Sequence, residues 1–384
     1  MKRPVHPMFS ILLLAAFAIS LTVRDLVRRG LSPFDIQGCP RNLCPAPAFN
    51  STILKLAEVD LGEHKLKNDT EQLLQWNFSD PSRHRAFEAW RRVNAYRSSR
   101  TAVPAGSTLP FTIRSPWFYP YLLDFRRNLQ AWARKKRFQD DIMSDLLRQV
   151  RHPIDRSERK YTSCAVVGNS GILLNTHYGN LIDSHEAVIR LNNAIISSYE
   201  DQVGTKTTIS FVNSNILHFC SMRQDCFCHP YGPDIPILMY ICQAIHLLDY
   251  TACNSTHKSP LLVTDPRFDT LCSRIAKYYS LKRFVATTGK PLEDWDEFHD
   301  GPNFHYSSGM QAVMLSMAIC DQVSVFGFGK SESAKHHYHT NQKGELHLHD
   351  YEAEYELYRD LVEMPRSVPF ISKNFQFPPM VIYH

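Results

Sequence analysis

The sequence lacks several features that would assign it at once to a common class. Its formal net charge is only +5 and is spread along the chain, so there is no case for nucleic-acid binding. No Gly-x-Gly-x-x-Gly follows a predicted strand, which argues against a dinucleotide-dependent enzyme. No Asp-x-Asp motif clearly supplies a metal site. What remains is a chain of 384 residues, long enough for one large α/β domain with appendages.

The apolar run at residues 8–23 predicts a membrane anchor. It is shorter than the roughly 20 residues of a typical spanning helix, but short spans suit the thinner bilayers of the early secretory pathway. The alternative is a cleaved signal peptide, because Ala16, Phe17 and Ala18 form a small-x-small cleavage site. We therefore expect a cytoplasmic tail at 1–7, a signal anchor at 8–23, a lumenal stem at 24–110 and a catalytic domain at 111–384.

Cysteines and glycosylation sequons favour a lumenal body for the chain. Ten cysteines are many for a cytosolic enzyme, and the even number suits disulfides. Four Asn-x-Ser/Thr sequons occur, at Asn50, Asn68, Asn77 and Asn254. The cluster Cys226-x-Cys228-His229 could mark zinc, but an oxidising lumen favours disulfides among the cysteines of residues 220–272. The pairing stays open.

A strand, a glycine turn and a second strand begin the predicted catalytic core. The apolar run Cys164–Val167 leads into the turn GNSG at 168–171, and a second apolar run follows at Ala187–Leu191. Between them, apolar residues at helical spacing predict an amphipathic helix, with Leu174, Tyr178, Leu181 and Ile182 on its buried face. In a parallel α/β sheet, ligands bind where such a strand ends, and a helix N-terminus favours phosphate. The pattern therefore indicates a nucleotide-type site.

Later segments extend the same sheet. Short apolar runs at 207–212, 235–240 and 261–263 predict strands. The small-residue turn Ser307-Ser308-Gly309 precedes a helical stripe of methionines, and residues 323–326 predict another strand. The basic segment 120–150 is helical in pattern. These units predict a mostly parallel sheet flanked by helices.

Five histidines fall within residues 336–349, at positions 336, 337, 339, 347 and 349. Three interpretations compete for this cluster: a metal site, a solvated loop, and acid/base chemistry near neutral pH. Each of His349 and His347 is followed five residues later by a glutamate, Glu354 and Glu352 respectively. A carboxylate beside a histidine would fix its tautomer and raise its basicity.

Taken together, four segments resemble the sequence motifs of the eukaryotic sialyltransferases, over roughly residues 160–360. The small motif is matched at 305–329, the third motif by HYHT at 337–340, and the very small motif by HDYEAE at 349–354. The residues of these motifs are most similar to those of the sialyltransferase-like proteins of plants. The large motif is matched by the cysteine at its start, the glycine turn, VGTKT at 203–207, and the run Ile182, Asp183, His185, Val188, Arg190 and Asn192.

The resemblance implies a type II Golgi membrane protein with a GT-A-like, Rossmann-type α/β catalytic domain that needs no metal or other cofactor. The donor would be a CMP-linked acidic sugar, either sialic acid or a Kdo-like sugar. The acceptor would be a hydroxyl of a glycan or glycoprotein, galactose-terminated or part of a cell-wall polysaccharide. Transfer would proceed by one inverting displacement.

The resemblance also implies residue roles. His349 would be the general base, His337 would stabilise the departing phosphate, and Glu354 would support the site. A disulfide would join Cys164 to Cys320. Donor binding would fall to Asn169, Asn192, Ser307, Ser308 and Gly309.

Two alternatives accompany this interpretation. The protein could keep the fold and act in binding or scaffolding, although retention of both histidines, the SSG turn and the cysteine pair argues against that. His347 with Glu352 is an alternative register for the base pair. We prefer His349 because an aspartate after the histidine fits the family pattern better.

Overall fold

The computed structural model describes residues 49–60, 62–75, 119–221, 230–254, 258–299, 301–331, 334–340 and 348–384. They belong to one compact unit, Ala48–His384. Among these residues no helix combines the length and the apolar character needed to cross a membrane. Some predictions concern residues outside these ranges, namely the anchor at 8–23, Asn77, His347, Cys226, Cys228 and His229.

Within the described part, seven strands form a single parallel sheet in the order β5-β4-β3-β2-β1-β6-β7. Every residue of the first, second and fourth strands is buried, as expected when helices cover both faces of a parallel sheet. The predicted α/β class with a parallel sheet is confirmed. The strands are β1 (Cys164–Val167), β2 (Ala187–Leu191), β3 (Ile209–Asn213), β4 (Ile237–Tyr240), β5 (Leu261–Val263), β6 (Val323–Phe326) and β7 (Met380–Tyr383).

The described α-helices flank this sheet. They are α1 (Ser51–Ala57), α2 (Glu63–Gln75), α3 (Tyr119–Lys135), α4 (Ile142–Asp155), α5 (Gly179–Asp183), α6 (Glu200–Val203), α7 (Ser214–Ser221), α8 (Leu247–Asn254), α9 (Pro266–Thr288), α10 (Trp295–His299), α11 (Ser308–Ile319) and α12 (Tyr351–Glu363).

Helix α11 lies at the centre of the core. All of its residues are buried, and it packs against β1, β2, β3 and β6. The side chain of Ser307 caps it by accepting a hydrogen bond from the Met310 N–H at 3.1 Å. The helix predicted after the SSG turn is therefore present, and its N-terminus is fixed at the edge of the sheet.

The amphipathic helix predicted after the turn at 168–171 is not continuous. The structure has a 3₁₀ turn at Gly171–Asn175 and then the short α5. Leu174 and Leu181, expected on a buried face, are each 38% exposed. The break has two causes. Thr176 turns back to bond the Leu173 carbonyl, and Gly179 packs so closely on the Glu200 carbonyl that no side chain would fit.

The compact unit includes part of the predicted stem. Helix α1 packs on α9 and buries Ile53 and Ala57 in the main hydrophobic core. The Asn50 side-chain oxygen caps α1 by accepting from the Thr52 N–H at 2.9 Å. The unit therefore begins at Ala48, before residue 111, where we expected the catalytic domain to begin. The sequon residues Asn50, Asn68 and Asn254 are exposed.

Cys164 and Cys320 form the implied disulfide, with their Cα atoms 6.0 Å apart. The bond joins the start of β1 to the residue that follows α11 and leads into β6, across a sequence separation of 156. Among the cysteines of 220–272, Cys253 is disulfide-bonded. Cys242 and Cys272 are free thiols, so disulfides do not take up every cysteine of that region.

Replacing both Cys164 and Cys320 by alanine should destabilise the fold strongly. Closing a loop of this length is worth about 4–5 kcal/mol in the chain-entropy description. We expect a large fall in the denaturant midpoint of the double variant, measured by circular dichroism. The half-buried free thiol Cys242 offers the control, because Cys242→Ala breaks no covalent bond. Equal stability of the double variant and Cys242→Ala would contradict this assignment.

Candidate active site

A cleft of about 920 Å³ opens at the carboxyl ends of the strands. It lies where β1 has β2 on one side and β6 on the other, the point at which the strand order reverses direction. All eight residues predicted for catalysis and donor binding line this cleft. The resemblance therefore selected residues that the fold brings together from four separate segments. They are Asn169, Asn192, Ser307, Ser308, Gly309, His337, His349 and Glu354.

The hydroxyl of Ser308 is the meeting point of three polar side chains from the sheet. Asn192 and Asn213 donate to Ser308 Oγ through their Nδ2 groups, at 3.4 and 3.3 Å. The Tyr240 hydroxyl lies 3.0 Å from the same oxygen. Asn192 has a left-handed backbone (φ 55°), which turns the chain at the end of β2. These contacts join β2, β3 and β4 to the first turn of α11.

Asn213 and Tyr240 were absent from the predictions. Each is the last residue of its strand, Asn213 of β3 and Tyr240 of β4. A polar residue at the carboxyl end of a parallel strand is the signal that could have found them, because these ends meet at one edge.

Asn169 presents an unused acceptor at the cleft. Its Oδ1 is buried and has no hydrogen-bond partner in the structure, while its backbone carbonyl accepts from the Tyr338 N–H at 2.8 Å. A buried amide oxygen without a partner is costly, so this atom is suited to a ligand N–H or O–H. Neighbouring Gly168 leaves no room for a side chain, since a Cβ there would lie 2.5 Å from the Gly327 carbonyl.

Glu354 is buried and holds the N-terminus of α11 rather than a histidine. Its Oε1 accepts from the Ser307 N–H at 2.6 Å, and its Oε2 lies 2.5 Å from the Ser307 hydroxyl. The Tyr358 hydroxyl donates to Oε2 at 3.3 Å. Burial raises the pKa of this carboxyl to about 7, although the hydrogen bonds from Ser307 oppose the shift.

His349 is oriented by a backbone carbonyl. Its Nδ1–H donates to the His305 carbonyl at 2.6 Å, which leaves Nε2 as the lone-pair nitrogen. The expectation that the carboxylate of Glu354 fixes the His349 tautomer is therefore wrong, because Glu354 is engaged by Ser307. Burial lowers the pKa of His349 to about 4, and nearby His336 adds to the effect. The ring is therefore neutral at neutral pH, with a free lone pair on Nε2.

The backbone around His349 is held by buried Asp350. Its side chain caps α12 at the Ala353 N–H and accepts from the Ser280 hydroxyl at 2.7 Å. His299 Nε2 lies 3.3 Å from the same carboxylate. These bonds tie the residue next to the candidate base to α9 and α10, so the base sits on a rigid support.

His336, His337 and His339 line the cleft and form a histidine strip. His337 lies between His336, 4.4 Å away between ring centroids, and His339, 5.6 Å away and parallel. Burial lowers the pKa of His337 to about 4, and the two neighbouring histidines lower it further. In the described ranges, no group of three or more histidine, cysteine, aspartate or glutamate side chains is arranged to hold a metal.

Comparison with known proteins agrees with this geometry. A profile of glycosyltransferase family 29 (sialyltransferase) matches residues 115–365. The chain belongs to glycosyltransferase family 29. The membership inferred from the four motifs is thereby confirmed.

Two plant relatives of this family 29 glycosyltransferase align over the full length of both chains. It is 50% identical over 398 aligned residues to a β-1,6-galactosyltransferase of Arabidopsis thaliana. It is 45% identical over 401 residues to sialyltransferase-like protein 1 of Oryza sativa subsp. indica. With the CMP-N-acetylneuraminate-β-galactosamide-α-2,3-sialyltransferase 1 of Pan troglodytes it shares 29% over 213 residues, covering 53% of this chain and 56% of the relative.

The alternative pair, His347 with Glu352, receives no support from the position of Glu352. That carboxylate lies at the surface and pairs with Lys330 Nζ at 2.9 Å. His347 lies outside the described residues. Glu354, by contrast, is buried and lines the cleft together with His349.

Replacing Glu354 by glutamine should change how the stability of the glycosyltransferase depends on pH. The folded carboxyl has a pKa of about 7 and keeps its proton up to that pH, whereas in the unfolded chain its pKa is the ordinary 4.5. The stability that Glu354 contributes is therefore complete below pH 4.5 and is lost as the pH rises through 7.

Between pH 4.5 and 8, the unfolding free energy of the wild type should fall relative to Glu354→Gln by up to about 3 kcal/mol. Denaturant titrations of both proteins across this range measure the difference. Parallel curves would show that the carboxyl does not titrate in this window.

Proposed function

We propose that this glycosyltransferase moves a galactosyl unit from a nucleotide donor to a hydroxyl of a galactose-containing glycan, by a single displacement with inversion. The observation that carries the chemistry is the placement of His349, whose lone-pair Nε2 belongs to a ring that lines the cleft beside the N-terminus of α11. The full-length similarity to a β-1,6-galactosyltransferase supports the choice of sugar.

His349 would act as the general base. The acceptor hydroxyl must lose its proton as it attacks the anomeric carbon, so one base within hydrogen-bond reach is required. His349 meets the requirement because burial keeps its ring neutral and the His305 carbonyl fixes its tautomer. Nucleotide-linked galactose has the α configuration, so a β product requires inversion and hence a single displacement.

The N-terminus of α11 would receive the departing phosphate. The first N–H groups of a helix have no partner within it, and the helix dipole favours an anion there. Those of Ser308 and Gly309 lie at the cleft. Gly309 is required by packing, since a Cβ would lie 2.7 Å from the Phe328 ring. His337 would donate a further hydrogen bond, and a bound phosphate would favour its protonation.

The nucleoside would bind at the carboxyl ends of β1 and β2. The orphaned Oδ1 of Asn169 supports this placement, because an amino, imide or hydroxyl group of a nucleoside would supply the missing donor. Asn192, directly after β2, lines the same cleft. No step in this scheme requires a cofactor beyond the donor itself.

The second candidate donor is a CMP-linked acidic sugar, sialic acid or a Kdo-like sugar. It is favoured by the similarity to a sialyltransferase whose name specifies CMP-N-acetylneuraminate. This transfer also inverts the anomeric centre, so it would use the same base. Its monophosphate leaving group carries less charge, which the α11 N-terminus could neutralise by itself.

The proposed setting is the Golgi lumen, with the chain anchored by residues 8–23 in type II orientation. The Cys164–Cys320 disulfide supports an oxidising compartment. The exposed sequon residues Asn50, Asn68 and Asn254 are compatible with N-glycosylation there.

Replacing His349 by alanine should lower kcat by about 10²- to 10⁴-fold, because the base is lost. Nucleotide affinity, measured by calorimetry, and the melting temperature should stay close to those of the wild type. His152→Ala, at an exposed position on α4, is the matched control and should be fully active. Full activity of His349→Ala would remove the base assignment.

A donor screen with the full-length protein should identify the sugar. UDP-galactose, CMP-sialic acid and CMP-Kdo are offered with a β-linked galactan acceptor, with and without EDTA, and nucleotide release and product linkage are measured. We expect turnover with UDP-galactose. Turnover with a CMP-sugar alone would establish the second candidate, and loss of activity in EDTA would show a metal requirement that this scheme omits.

A further inference from the structure

Two tyrosines on α12 form an aromatic wall beside the candidate base. Tyr351 and Tyr355 are one helical turn apart, so they lie on the same face of α12. Both line the cleft and both are half-buried. None of the motif-derived roles includes either residue. We call this pair the tyrosine wall.

Within the tyrosine wall, Tyr351 contacts both the candidate base His349 and His336 of the histidine strip. The Tyr351 ring centroid lies 5.4 Å from that of His349, at an interplanar angle of 79°. It lies 5.4 Å from the His336 ring, at 72°. Tyr351 therefore stands between the candidate base and the histidine strip.

The geometry of the proposed displacement requires the acceptor and the leaving phosphate to bind at different places in the cleft. In an in-line displacement, the attacking oxygen and the leaving phosphate lie on opposite sides of the anomeric carbon. The N-terminus of α11, which lines the cleft, offers N–H groups suited to the phosphate, and the unpartnered Oδ1 of Asn169 offers an acceptor to the nucleoside. The acceptor hydroxyl must lie within about 3 Å of His349 Nε2 to lose its proton there. The acceptor sugar therefore lies next to Tyr351, whose ring contacts the His349 ring.

The chemistry of the wall suits an uncharged sugar. A tyrosine combines an apolar ring face with a polar hydroxyl, which matches a pyranose that has one apolar face and hydroxyls at its rim. Galactose has a continuous apolar patch formed by the hydrogens on C3, C4 and C5, because its O4 is axial. The surface pair Lys330–Glu352 adds polar groups close to the same helix turn.

We propose that Tyr351 and Tyr355 form the acceptor subsite and stack on a galactose residue whose hydroxyl is delivered to His349. This inference rests on the proposed function for its assignment of His349 as the base. It adds two specificity-determining residues and the sugar class that they bind.

The test uses the full-length protein saturated with UDP and a β-linked galactotriose as the probe. Saturation-transfer NMR measures galactotriose binding without any turnover, and initial rates with the donor found in the screen give the acceptor and donor KM separately. The variants are Tyr351→Ala and Tyr351→Phe. Phe298→Ala is the control, because Phe298 is an exposed aromatic residue (53%) that does not line the cleft.

We expect Tyr351→Ala to weaken galactotriose binding and to raise the acceptor KM about ten-fold, with the donor KM unchanged. Tyr351→Phe and Phe298→Ala should bind galactotriose nearly as the wild type does. A cellotriose probe, built from glucose, should bind more weakly than galactotriose.

Unchanged galactotriose binding by Tyr351→Ala would overturn the proposal, and so would an equal loss of UDP affinity, which would place Tyr351 on the donor side. Equal binding of cellotriose and galactotriose would overturn the sugar class. If the wild type bound galactotriose at Tyr351 but used none of the donors, the proposed function would fail and the subsite would stand.

Discussion

The hydrogen bonds between Ser307 and Glu354 join the two halves of the candidate active site. Ser307 caps α11, whose first turn faces the cleft, and Glu354 lies in the first turn of α12, five residues after His349. Because both groups are buried, neither can exchange its partner for water without cost. This buried contact therefore links the proposed phosphate end of the cleft to the helix that follows the proposed base.

Other contacts reinforce this arrangement from both sides. Asn192, Asn213 and Tyr240 converge on Ser308 Oγ and hold the first turn of α11 against the sheet. On the other side, the Asp350 side chain anchors the start of α12 to α9 and α10. A transferase that must align a donor, an acceptor and a base benefits from such rigid support, since small displacements cost rate.

The neutral state of the histidines follows from the same burial. His337 and His349 both lie in a cleft where a charged ring would lose hydration, and no carboxylate of the described residues raises either pKa. In His349 the lone pair of Nε2 is therefore free at neutral pH. In His337 the same burial keeps the ring uncharged at neutral pH, and the charges of His336 and His339 add to the effect.

Patterns of apolar residues were enough to predict β1, β2, β6 and α11. A buried parallel strand needs a short run of apolar residues, and a helix shows apolar residues at helical spacing. The motifs also determined which side chains line the cleft and which cysteines pair. Only the tertiary structure decided the hydrogen-bond partners. Glu354 accepts hydrogen bonds from Ser307 and not from His349. His349 is oriented by the backbone carbonyl of His305. Gly179 packs against the Glu200 carbonyl, where a continuous helix was expected. Such choices depend on contacts between segments distant in sequence, which local pattern and propensity do not encode.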